Sequence, residues 1–128
     1  MAVARRLVQR QILELTADRP AAGVALARAL AMTTYRSADE FRTRFSGPGG
    51  QARLASYLDH QGRRFAERFD AGSYRRLMDA IDSHRLDPKR LRKPLSLLGF
   101  STDELCPPAL LQAFAAQVSG PVELEIIE

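Results

Sequence analysis

The chain has 128 residues, 45% hydrophobic and 27% charged, enough for one domain with a buried core and ordinary for a globular protein. No apolar run reaches the roughly 18 residues that a membrane span needs, so no membrane partner is expected. The single cysteine, Cys106, excludes an internal disulfide and fits a reducing, cytoplasmic setting. The net charge of +4 sets 19 basic residues against 15 acids. The arginines are dispersed among those acids, and no basic stretch alternates with stacking aromatics. The charge therefore reads as a solvated surface, with no nucleic-acid partner.

Residues 3–16 carry Val3, Leu7, Val8, Ile12 and Leu15 at helical spacing. Arg5, Arg6 and Arg10 precede the first acid, Glu14. That spacing is shared with organellar leader peptides, but an amphipathic helix is the simpler reading. Asp18-Arg19-Pro20 breaks the helix. Residues 21–34 are almost wholly apolar, which predicts a helix buried nearly all round. Its one charge is Arg28, with no acid a helical turn away in either direction. A buried guanidinium needs a carboxylate, because an unpaired buried charge is very costly. The partner is then a distant side chain or a ligand carboxylate gripped by the guanidinium fork; otherwise the arginine reaches solvent along its stem.

Ser37 is placed to cap a short helix through Phe45, with Asp39 and Glu40 in its first turn. Gly47-Pro48-Gly49-Gly50 reads as a loop and lacks the pattern of a phosphate-binding loop. Residues 51–69 predict a helix with Leu54, Leu58, Phe65 and Phe69 on one face. Asp70-Ala71-Gly72 turns the chain. Ser73 is expected to cap a further helix with the face Tyr74, Leu77, Met78 and Ile81, and the two faces could pack as a helical hairpin. His60 and His84 are the only histidines. They lack the spacing of metal ligands, so no metal site is expected, and they read as surface or cap residues.

A basic linker, residues 86–94, leads into Leu95, Leu97 and Leu98, read as a buried strand ending at Gly99-Phe100. Ser101 to Glu104 form a polar turn, and Pro107-Pro108 opens a helix with the face Leu110, Leu111, Phe114 and Val118. Residues 122–126 read as the next strand. This is a β-loop-α-β unit of a parallel sheet, in which function gathers at the carboxyl ends of the strands. Asp103 sits just beyond such an end. Two parallel strands cannot make a stable sheet alone, so the chain is expected to belong to something larger or to pair its strands with another chain.

ALARALAMTTYRSADEFRTRF (residues 25–45), SYLDHQGRRFAERFDAGSYRRLMDAIDSHRLD (56–87) and LLGFSTDELCPP (97–108) resemble the homoserine O-acyltransferase family of the α/β-hydrolase fold. The resemblance runs from QRQIL at residues 9–13 onward. It implies an α/β fold class in two parts: a helical lid over residues 1–93 and, over 94–128, a C-terminal β-α-β part of the hydrolase core. It implies transfer of an acetyl or succinyl group from acyl-CoA, a substrate rather than a bound cofactor, to the hydroxyl of homoserine or serine. The mechanism would be ping-pong, within methionine or cysteine biosynthesis. By position Asp103 resembles the triad aspartate, which orients the histidine. Arg28 resembles the arginine that binds the amino-acid carboxylate, with Tyr35 and Arg36 as neighbours in the same motif.

No Gly-x-Ser-x-Gly occurs in the sequence, and neither histidine matches the family's catalytic one. The chain by itself is therefore expected to be inactive. A homodimer through the lid helices is implied as well. The alternative is a stand-alone dimerisation or binding module derived from the lid, using Leu54/Leu58/Phe65 and Tyr74/Leu77/Ile81.

Overall fold

The computed structural model describes residues 2–128, which fall into two compact units, one ending at His84 and one spanning Arg85–Glu128. The first holds α1 (Ala2–Leu15), α2 (Pro20–Met32), α3 (Ala38–Arg44), α4 (Gly50–Ala66) and α5 (Ala71–Ser83). Local chemistry sets the boundaries. The Thr16 hydroxyl bonds back to the Ile12 carbonyl at 2.7 Å as α1 ends, and Pro20 opens α2, where a missing N–H costs nothing. Ser37 caps α3 by accepting from the Glu40 amide at 3.2 Å. Gly47 and Gly49 take positive φ in the loop before α4, a conformation that favours glycine. At α5 the cap is Asp70 rather than Ser73: its carboxylate accepts the Ser73 amide at 2.8 Å and the Ser73 hydroxyl at 2.6 Å.

α2 is the central helix, packed against α1, α4 and α5. α4 packs mainly on α2, and the expected contact of α4 with α5 is limited to its end, where Phe65 meets Tyr74. Small residues decide this. Gly62 of α4 lies so close to α2 that an added Cβ would stand 2.4 Å from the Ala25 carbonyl oxygen. Alanine is the better helix former by about 1 kcal/mol, but here it meets backbone that cannot rotate away. Gly62→Ala is therefore expected to destabilise this unit by about 1–3 kcal/mol. A thermal midpoint at or above the parent's would contradict this packing.

The core gathers Leu13, Val24, Ala27, Tyr74 and Met78, with Ile12, Phe65, Ala66 and Ala71 packed on it. α2 is not buried all round: Gly23, Val24, Ala27, Ala31 and Met32 face inward, whereas Ala21, Ala22 and Leu26 face out. α1 also departs from the pattern of its apolar residues. Val3, Leu7, Val8 and Leu15 are exposed, and Gln9 and Leu13 are buried instead. Long-range polar contacts choose that face. Gln9 bonds into α2 and α5. The Arg6 Nε donates to Asp82 at 2.6 Å, and Arg10 pairs with Asp79 at 2.9 Å and Asp82 at 2.7 Å.

These guanidiniums, the Arg6 hydrogen bond foremost, hold the Asp82 carboxyl below the usual carboxylate range. A carboxyl depressed in the folded state contributes stability that is fully present above its unfolded pKa, about 4. That stability is lost as pH falls through the lower, folded value. Asp82→Asn is expected to flatten this acid limb of the stability profile. Acid unfolding that is unchanged by the substitution would show that the pair contributes nothing.

The second unit contains a short 3-10 helix (Pro88–Arg90), β1 (Leu95–Phe100), α6 (Pro108–Ala115) and β2 (Val122–Ile127). β1 and β2 are parallel, in register from Leu95 opposite Val122 to Phe100 opposite Ile127. Alternation places Leu95, Leu97, Gly99, Val122, Leu124 and Ile126 on the more buried face. α6 approaches that face closely: a Cβ on Gly99 would lie 2.4 Å from Leu111 Cδ1. Leu110, expected on the packed face of α6, is exposed, as are Leu98, Phe100 and Ile127 on the other face of the sheet. The linker closes onto this unit, the Gly120 amide donating to Leu91 O at 2.9 Å and the Ser119 hydroxyl to Lys89 O at 2.9 Å.

Candidate functional site

Arg28 lies on α2 in the first unit and Asp103 just beyond β1 in the second. The stem of Arg28 is half-buried. Its guanidinium carbon stands 4.7 Å from the centroid of Phe65 on α4 and 4.9 Å from that of Tyr35. Its Nη1 donates to the Tyr35 hydroxyl at 3.3 Å. Tyr35 is placed by the turn that ends α2, where the Thr33 and Thr34 hydroxyls bond back to the Leu30 and Ala31 carbonyls. Arg5 joins the group, 5.2 Å from the Tyr35 ring and hydrogen-bonded to the Thr34 hydroxyl. Arg36 turns instead to Glu40, one helical turn on.

The carboxylate expected for Arg28 is absent among the described residues: no acid lies within ion-pair distance of its guanidinium. Aromatic faces attract the cation but accept few of its N–H donors. A cavity of about 100 Å³ lies between Arg28, Arg5, Tyr35, Phe65, Tyr74 and Gln9, among others. On another side, Arg28 joins Gln61, Arg64, Phe65 and Arg68 around a cleft of about 190 Å³. Several cations and no acid line these spaces, so their chemistry suits an anion.

Asp103 follows the end of β1. The Ser101 amide donates to Ile127 O at 2.8 Å, and the Asp103 amide closes a turn on Phe100 O at 3.1 Å. The Asp103 Oδ1 then accepts from the amides of Leu105 at 2.8 Å and Cys106 at 2.9 Å. Its Oδ2 has no hydrogen bond among the described residues. One oxygen fixes the carboxylate, and the other is left to accept a proton donor. A half-buried, oriented carboxylate of this kind can hold an imidazole in one tautomer.

His60 lines a shallow depression with Arg44 and Tyr57, and His84 ends α5. No group of metal-ligating side chains forms among the described residues. Sequence reasoning missed Gln9, Phe65 and Tyr74 as members of the Arg28 cluster. The one available signal was Gln9, a polar residue between the apolar positions of α1.

A helical unit presenting a carboxylate-free guanidinium cluster, followed by a parallel β-loop-α-β unit with an anchored acid past a strand end, makes this chain part of an α/β fold. No protein-family model matches it. It is 37% identical over 131 residues to homoserine O-acetyltransferase of Mycobacterium avium, covering 88% of this chain and 33% of that protein. It is also 37% identical over 125 residues to homoserine O-acetyltransferase of Clavibacter michiganensis, covering 83% and 32%. The crystal structure of homoserine o-acetyltransferase from Staphylococcus aureus matches with a TM-score of 0.75 at 28% identity, over 98% of this chain and 38% of that one. In sequence and in fold the chain is thus similar to part of these homoserine O-acetyltransferases. It spans about a third of the length of the relatives it matches.

Proposed function

We propose that this chain supplies the helical lid, residues 1–93, and the acid-bearing β-α-β part, residues 94–128, of a homoserine O-acetyltransferase. In this reading a serine outside these residues takes the acetyl group from acetyl-CoA and passes it to the homoserine hydroxyl. Asp103 orients the histidine that moves the proton, and Arg28 binds the homoserine carboxylate. The reaction belongs to cytoplasmic methionine biosynthesis. The observation that carries the reading is the company of Arg28: two aromatic rings, a neighbouring arginine and, among the described residues, no carboxylate. The helix-free sheet face with Leu98, Phe100 and Ile127 exposed supports further core packing there.

Self-association is read here through the open apolar stripe of α1, Val3, Leu7, Val8 and Leu15. The faces first considered are less suited, because Tyr74 is buried and Phe65 half-buried within the unit. A chain that sediments only as a monomer at high concentration would remove that part.

The test is CoA release from acetyl-CoA in the presence of L-homoserine. Residues 1–128 alone are expected to release none above background, because the sequence contains no Gly-x-Ser-x-Gly. The Staphylococcus aureus enzyme with its matching segment replaced by this chain is expected to turn over. Turnover by residues 1–128 alone, or a folded but inert chimera, would overturn the proposal.

A further inference from the structure

Gln9 is 2% exposed, and its amide nitrogen reaches two oxygens: Ala27 O at 2.9 Å and the Tyr74 hydroxyl at 2.6 Å. The first bond determines the second. A backbone carbonyl only accepts, so the end of the Gln9 amide beside it must be the NH₂. The Tyr74 hydroxyl therefore accepts from Gln9, and its own proton must be given elsewhere. Among the described residues that proton makes no hydrogen bond. Tyr74 is 5% exposed, and it shares the cavity of about 100 Å³ with Arg28, Arg5 and Tyr35. A buried hydroxyl whose donor side is uncommitted, in a cavity that Arg5, Arg6 and Arg28 enter and no acid lines, calls for an anionic acceptor.

We propose that the Tyr74 hydroxyl donates to the carboxylate that Arg28 holds, with Gln9 as the positioning residue that fixes the direction of that hydrogen bond. This rests on the reading of Arg28 given under the proposed function. It adds a specificity rule. Arg28 and the Tyr74 hydroxyl, both offered as donors, satisfy the two oxygens of a carboxylate but meet the NH₂ of a carboxamide with another donor, so the pair disfavours the amide. Phe65 packs edge-on against the Tyr74 ring, centroids 4.9 Å apart, and limits how far the hydroxyl can swing.

The experiment titrates residues 1–128 with L-homoserine and with L-homoserine amide by calorimetry. The parent is expected to prefer the carboxylate. Tyr74→Phe is expected to weaken L-homoserine at least tenfold and the amide less than twofold, whereas a purely structural tyrosine would weaken both alike. Arg28→Gln is expected to abolish the preference. Tyr74→Phe with the parent's ratio of affinities overturns the role of Tyr74 and leaves that of Arg28 standing. A parent chain that does not distinguish the two ligands overturns both. Should Tyr74→Phe fail to fold, the ¹³Cζ resonance of Tyr74 in the parent decides. It is expected to shift with L-homoserine and not with the amide, and a resonance unmoved by L-homoserine overturns the proposal.

Discussion

If the chain serves as proposed, Asp103→Asn in the Staphylococcus aureus chimera is expected to lower kcat about 10⁴-fold, the scale known for a triad acid turned to its amide, with little change in KM for homoserine. The structure makes this substitution informative. The asparagine carbonyl oxygen can still accept the Leu105 and Cys106 amides that Oδ1 accepts at 2.8 and 2.9 Å, so the turn persists. The change falls on the other side of the group, where an NH₂ replaces the oxygen that in the proposed triad accepts from the histidine. That histidine would then be held in the wrong tautomer. Asp103→Ala removes the turn as well and is expected to cost about 1–2 kcal/mol of stability in addition. Steady-state rates and a thermal melt separate the two effects. A rate for Asp103→Asn within tenfold of the parent would remove Asp103 from the triad.

The second large effect is expected at Arg28. Arg28→Gln should reduce kcat/KM for homoserine by about 10²- to 10³-fold, in line with roughly 2–5 kcal/mol for removing one partner of a hydrogen-bonded charge pair. Arg28→Lys should recover only part of this. Lysine keeps the charge but loses the planar fork and the stacking on Phe65 and Tyr35. In the proposed ping-pong order the effect is separable: the first half-reaction, seen as a burst of CoA on mixing with acetyl-CoA, should survive both substitutions. A diminished burst with an unchanged KM for homoserine would place Arg28 on the acyl donor instead.

Gln9 and Tyr74 show why part of the site escaped sequence reasoning. They are 65 residues apart and bonded at 2.6 Å, and neither side chain has a local pattern that points to the other. Phe65 falls on the apolar face of α4, but only packing of α4 on α2 sets its ring 4.7 Å from the Arg28 guanidinium. For Arg28, in contrast, the lack of an acid one helical turn away was legible at once, and the fold then put aromatic rings rather than a distant acid beside it.

The sequence by itself determined where the elements lie and where the acid falls. Pro20, Ser37 and the Pro107-Pro108 pair act within one turn of the backbone, and the alternation in Leu95–Phe100 and Val122–Ile127 sets the two faces of a parallel pair. These are local effects of capping, ring-fixed φ and side-chain period. Only the tertiary structure decided which face of α1 points inward, that α4 packs mainly on α2, and what surrounds Arg28. Those choices depend on the close approach that Gly62 permits and on hydrogen bonds and ion pairs between helices far apart in the chain. Their energies exist only once the helices have met, so apart from the polar Gln9 on α1 residue spacing along the sequence carries no trace of them.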